Sequence, residues 1–168
     1  MYIFSSNYWM QVKDKTCRMN KMEDENIIER VAAQVIGCDV DDLTEAKYDH
    51  YGLRIFEACG FEYAIGSDEE ADKAIKQYMQ DSVWTFCPEF IASHTKAGAS
   101  KGMIKAITAL QESCEDCNDD VKSLIEDMDE FIEDAVSADG RGMFLSPYDS
   151  EEQEIVIDGE YYFAYRLN

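Results

Sequence analysis

Leu53-Arg-Ile-Phe-Glu-Ala-Cys-Gly60-Phe-Glu-Tyr-Ala-Ile-Gly-Ser67-Asp-Glu-Glu70 is the stretch that decides the fold. Two β-rich runs flank Cys59-Gly60, which predicts a hairpin over residues 53–65. Ser67 to Glu70 then reads as a capping box. The serine hydroxyl can accept from the amide three residues on, while the glutamate reaches back to the cap amide. A helix follows, with Ala71, Ala74, Ile75, Tyr78 and Val83 on its buried face. A hairpin that feeds directly into an amphipathic helix sets the expectation of an α+β fold.

Upstream, Ile27, Ile28, Val31 and Val35 fall at helical spacing, with acids ahead of them and Gly37 behind. This predicts a helix over 23–36. Asp39 to Asp49 is polar and acidic and reads as a loop with one turn of helix. Downstream, Pro88 lacks an amide hydrogen and clashes with the preceding turn, so the helix after Ser67 ends near Phe86. A second segment restarts at Pro88 and runs to His94. Lys96 to Ser100 is a linker, and Ser100 caps a helix carrying Met103, Ile104, Ile107 and Leu110 on one face.

The longest predicted helix runs from Asn118 to Ser137, on the stripe Val121, Leu124, Ile125, Met128, Phe131, Ile132 and Ala135. Asp139 to Gly142 is a turn. In the tail, Asp158-Gly159 separates two β-rich runs, a strong signal for a second hairpin over 154–166. The expected architecture is α+β, with about four to five helices packed on a small antiparallel sheet built from the hairpins near 53–65 and 154–166.

The chain has 168 residues, 46% hydrophobic and 12% aromatic, which suits one folded domain rather than a disordered acidic tail. Its two ends differ in charge. Residues 1–22 hold Lys13, Lys15, Arg18 and Lys21 against Asp14 and form a basic leader, read as a flexible arm, an added strand, or an extension that a shorter product lacks. Residues 23–168 form the acidic domain. Met1 to Met22 has no apolar core of the signal-peptide kind, and no run reaches the roughly 20 apolar residues of a membrane span. The expectation is a cytoplasmic protein with reduced thiols.

The whole chain carries 36 acidic against 15 basic residues, a formal charge of -21. Eleven of the acids fall within one stretch: Glu112, Glu115, Asp116, Asp119, Asp120, Glu126, Asp127, Asp129, Glu130, Glu133 and Asp134, with Lys122 as its one cation. As a continuous helix this stretch would extend roughly 34 Å. Its charges would then repeat about every 3 Å, close to the ~3.4 Å phosphate spacing of a DNA strand. These acids are the candidate partner-binding surface. The competing reading is a solvated helix face without a partner.

Other chemistry is weakly encoded. Cys114-x-x-Cys117 offers two zinc ligands, but structural zinc needs four, and His50 and His94 stand apart. A redox role wants positive charge nearby, whereas acids surround this pair. Asp39-Val-Asp41-Asp42 and Asp127-Met-Asp129 fail the calcium-loop pattern. Ser93 and His94 are adjacent, and helix neighbours do not face each other. There is no nucleophile elbow and no phosphate-binding glycine loop. No catalytic residue and no cofactor are expected, and the chain reads as a non-enzyme.

Tyr48-Asp-His-Tyr-Gly52-Leu, Tyr63-Ala-Ile-Gly-Ser-Asp-Glu-Glu70 and Asp139-Gly-Arg-Gly142-Met-Phe-Leu-Ser-Pro-Tyr-Asp149 together resemble small acidic proteins of bacteriophages and prophages over residues 23–168. No activity is tied to these motifs, so no functional residue carries over. The resemblance implies a setting, since proteins of this kind often inhibit host defence or host DNA-binding enzymes. The expected function is a non-catalytic acidic inhibitor or DNA mimic that occupies a basic surface of a nuclease or other DNA-binding protein in a bacterial host's cytoplasm. Neither direct nucleic-acid contact nor membrane contact is expected. Two alternatives stay open: a self-associating assembly module using the Tyr161–Tyr165 hairpin, and a small zinc- or thiol-dependent protein using Cys114 and Cys117.

Overall fold

The structure is a computed structural model that describes residues 27–168. The basic leader and the predicted helix start at 23–26 lie outside the described residues. The chain is of the α+β class, with seven helices and one antiparallel five-stranded sheet among the described residues. In chain order the elements are α1 (27–36), β1 (Thr44–His50), β2 (Leu53–Ala58), β3 (Phe61–Ser67), α2 (Asp68–Ser82), α3 (Pro88–Ser93) and α4 (Lys101–Gln111). Then follow α5 (Asn118–Lys122), α6 (Met128–Asp139), α7 (Gly142–Leu145), β4 (Glu152–Ile157) and β5 (Glu160–Arg166). α3, α5 and α7 have six residues or fewer; α3 is the predicted segment that restarts at Pro88, and α5 and α6 divide the predicted Asn118–Ser137 helix.

The strand order is β1-β2-β3-β5-β4. β5 pairs with β3, so the C-terminal hairpin extends the sheet of the N-terminal meander after six intervening helices. All three hairpins turn on a residue followed by glycine: Tyr51-Gly52, Cys59-Gly60 and Asp158-Gly159. Both residues of each pair have positive φ, between 54° and 89°. Two-residue turns of this hand match the strand twist, and glycine takes the second place without a Cβ penalty.

Alternation along the strands gives the sheet two buried faces. On one, Phe56, Tyr63, Ile65, Ile155, Ile157, Tyr162 and Ala164 pack against Ile28, Val31 and Ala32 of α1. On the other, Leu53, Ile55, Ala64, Phe163 and Tyr165 meet the buried faces of the later helices, including Ile75, Met79, Ile107, Val121 and Phe131. The Ser67–Glu70 capping box forms as predicted. Pro88 stands in the first turn of α3, where its missing amide costs nothing.

Two predicted elements are corrected. Asp39 to Asp49 is not a loop: one 3-10 turn, Val40–Asp42, leads into β1. β1 is an edge strand, held to β2 by Arg54, whose Nε and Nη2 donate to Glu45 at 2.7 and 2.9 Å. The predicted Asn118–Ser137 helix is two helices. After α5 the chain extends, Ile125 bridges to Thr95, and the Glu126 amide donates to the His94 carbonyl at 3.0 Å. The Asp127 carboxylate then caps α6 by accepting from the amides of Asp129 and Glu130. Upstream, Cys114 sits at φ 53° and opens a 3-10 turn, Cys114–Cys117, that separates α4 from α5. No helix among the described residues is long and apolar enough to cross a membrane.

Candidate interaction surface

The break changes what the acidic stretch is. Glu112 caps the end of α4, Glu115 and Asp116 lie on the 3-10 turn, and Asp119 and Asp120 open α5. Glu126 and Asp127 lie in the extended link, while Asp129, Glu130, Glu133 and Asp134 ride on α6. A single 34 Å ruler of charges does not exist; α6 alone is about 18 Å long. All eleven acids are nonetheless exposed. Their apolar partners Val121, Phe131, Ile132 and Ala135 are buried, so the division of inner and outer faces survives the break.

Three of the eleven have structural work. Asp127 caps α6, Asp129 pairs with Lys76 of α2 at 2.5 Å, and Asp134 lies 3.2 Å from Nε2 of His94. The other eight, Glu112, Glu115, Asp116, Asp119, Asp120, Glu126, Glu130 and Glu133, form no ion pair among the described residues. Lys96, Lys101 and Lys105 lie in a segment after α3, 95–110, that holds no acid, and they do not neutralise them. All three are exposed and likewise unpaired among the described residues.

A second group of carboxylates was not foreseen. Arg141 stands between α6 and α7 with its side chain only 12% exposed. Its Nε and Nη2 donate to Glu152 of β4 at 2.8 and 3.3 Å, and Nη1 donates to Asp68 and Asp72 of α2, each at 2.8 Å. The guanidinium also lies 4.3 Å from the ring centroid of Phe163. The Tyr165 hydroxyl donates to Glu152 at 2.6 Å. Burial works against the arginine charge, but the bonds to Glu152 and Asp68 outweigh it and raise the arginine further above its ordinary range. Burial, then the Glu152 bond, pushes the Tyr165 phenol upward as well. Arg141 is the one cation between Lys122 and Arg166. That isolation in an acid-rich half was the signal that could have found it.

The remaining sequence candidates resolve into structural roles. Ser93 Oγ lies 3.2 Å from His94 Nδ1, and His94 Nε2 faces Asp134, which gives the outline of a triad. Yet Nδ1 is also 2.9 Å from the Phe90 carbonyl, and the Ser93 hydroxyl donates to that same carbonyl at 2.7 Å. Both ring nitrogens face acceptors, so neither is placed to take the serine proton. His50 lies 3.0 Å from the Leu145 carbonyl, and burial lowers its pKa below the usual histidine value. Cys117 is buried and its thiol donates to the Cys114 carbonyl, while Cys114 is exposed. Burial, helped by Asp120 and Asp116, raises the Cys117 pKa. No group of three or more His, Cys, Asp or Glu able to hold a metal occurs among the described residues. Of the Tyr161–Tyr165 aromatics, Tyr162, Phe163 and Tyr165 belong to the core; Tyr161 and its cross-strand neighbour Val156 are exposed.

Two of the grooves on the surface of the described residues border α2. One, of about 490 Å³, lies between α2 and α6. The other, of about 430 Å³, lies between the start of α2 and the β4–β5 hairpin, with Asp68, Glu69, Glu154 and Glu160 around Tyr161. The fold and surface define an acidic α+β protein. No family model, curated protein or solved structure matches the chain.

Proposed function

We propose that this protein is a non-catalytic acidic binding protein that occupies a basic surface of a nucleic-acid-binding or host-defence protein, as an inhibitor or DNA mimic. One observation carries the reading: eight exposed carboxylates within 112–134 have no cation partner among the described residues. Unneutralised like charges raise the free energy of the compact state, and a cationic partner surface relieves that repulsion. The mimicry is one of charge field rather than of helical phosphate spacing, because the acids are spread over the end of α4, the 3-10 turn, α5, the extended link and α6. At physiological salt that field reaches about 8 Å, so the partner's cations must come into close contact.

The test is retention of the basic proteins of a bacterial lysate on the immobilised full chain. The expected result is capture at low salt, release at high salt, and loss of capture in the variant Glu126→Lys, Glu130→Lys, Glu133→Lys. Capture that is indifferent both to salt and to that triple reversal refutes the reading.

A further inference from the structure

The groove between α2 and α6 combines an apolar floor with acidic walls. Its floor is apolar, made by Ile75, Ile132 and Val136, and its walls carry Asp72, Asp129 and Glu133 with Lys76. Three carboxylates against one ammonium give the rim a net negative charge. Lys76 is already held by Asp129 and Asp72 by Arg141, while Glu133 has no cation among the described residues. A volume of about 490 Å³ lies within the ~300–1,000 Å³ range of sites that seat a ligand.

We propose that this groove receives an amphipathic helix of a partner protein, with apolar anchors on Ile75, Ile132 and Val136 and flanking Lys or Arg residues on Glu133 and its neighbours. The inference rests on the basic-partner reading above and narrows it to one class of segment and one place. Charge complementarity selects the cationic flanks, since an anionic ligand would meet the same repulsion that the protein already carries. The floor selects apolar anchors. The groove walls are helices and offer no strand edge, so an extended peptide would press unpaired backbone groups onto an apolar floor. A helix satisfies its own backbone and can lay one stripe into the groove.

The test uses the full chain and a fluorescent synthetic helix of leucine and lysine with one apolar stripe, against a peptide of the same composition with the stripe scrambled. The striped peptide is expected to bind at least about tenfold more tightly (a difference of ~1.4 kcal/mol). Ser137→Trp, at an exposed position lining the groove, fills it without altering any charge and should remove that advantage. Val136→Glu should do the same, with circular dichroism confirming the fold of both variants. If both peptides bind equally, or Ser137→Trp leaves the advantage intact, the groove proposal falls while the basic-partner reading stands. If neither peptide binds at low salt, both fall. A concentration-dependent dimer abolished by Ser137→Trp would assign the groove to a second copy and overturn the proposal. So would binding confined to a peptide of residues 1–22.

Discussion

At Arg141 three carboxylates converge on one guanidinium, whereas between Glu112 and Asp134 eleven carboxylates meet, among the described residues, one lysine and one histidine from other elements. The two regions are alike in composition and opposite in use. In the first, acids from α2 and β4 are tied across the interface with α7 by a cation removed from water. In the second, the acids point outward and the apolar stripe beneath them does the packing. At Arg141 it is the burial of the cation, not the density of acids, that gives Glu152, Asp68 and Asp72 their role. Surface ion pairs contribute little, while a buried pair that loses one partner is costly.

The sharpest way to break this comparison is Arg141→Met. It strands Glu152, whose side chain is 27% exposed, beside Asp68 and Asp72 without their cation. The expected loss is about 3 kcal/mol, at the low end for a broken buried pair because the two aspartates remain well solvated. Denaturant unfolding measures it. A loss below about 1 kcal/mol would place Arg141 with the surface charges. Adding Glu152→Met should recover part of the loss, since the stranded carboxylate is its main source.

Gly142→Ala comes next and tests the same junction by packing. A Cβ there would stand 2.7 Å from backbone atoms of Ser150, Glu151 and Glu152, none of which is a side chain that can swing away. Overpacking of this kind costs about 1–3 kcal/mol. A thermal melt that matches the parent would show that the β4 approach is free to shift and that Arg141 is not held as tightly as its contacts indicate.

Within the acidic stretch the largest single effect belongs to Asp127→Ala. Asp127 is the one carboxylate there that accepts from two backbone amides, and loss of a helix cap costs roughly 1 kcal/mol. Asp127→Asn, which keeps the cap, should stay near the parent. If Asp127→Ala is silent, the start of α6 is fixed by packing and the break in the predicted helix has another cause.

That break shows what the sequence conceals. Leu124 and Ile125 continue the helical apolar stripe, and both are partly buried, so the periodicity is indifferent to whether the link is helical or extended. The contrary signal was present: Asp127 stands three residues before Glu130, the spacing of a helix start. The turns at Cys59-Gly60 and Asp158-Gly159 and the box at Ser67 were legible because their residue types are required by the local backbone. β1 was not, because an edge strand keeps most of its side chains in solvent; only Ala46 and His50 are half-buried, too few to show a period of two. Arg141 was hidden for a related reason. Its partners come from 73, 69 and 11 residues away, and no local pattern brings them together.

The smallest expected effect is the most discriminating for function. Glu126, Glu130 and Glu133 are exposed and have no cation among the described residues, so changing each to glutamine should move stability by about 0.5 kcal/mol or less. The direction should be upward, because removing one of many like charges relieves repulsion. Added salt should mimic the gain in the parent and do less in the triple variant, since screening and neutralisation remove the same term. Glu152→Gln is the control, as it makes the same chemical change at a carboxylate that Arg141 and Tyr165 both engage, and it should destabilise. A destabilised triple variant would mean that these acids hold the fold together, and their value to a partner would then lose its physical basis. A triple variant that keeps its stability and loses capture of basic proteins would separate binding from folding, because acids with no structural partner are free to be read by another molecule.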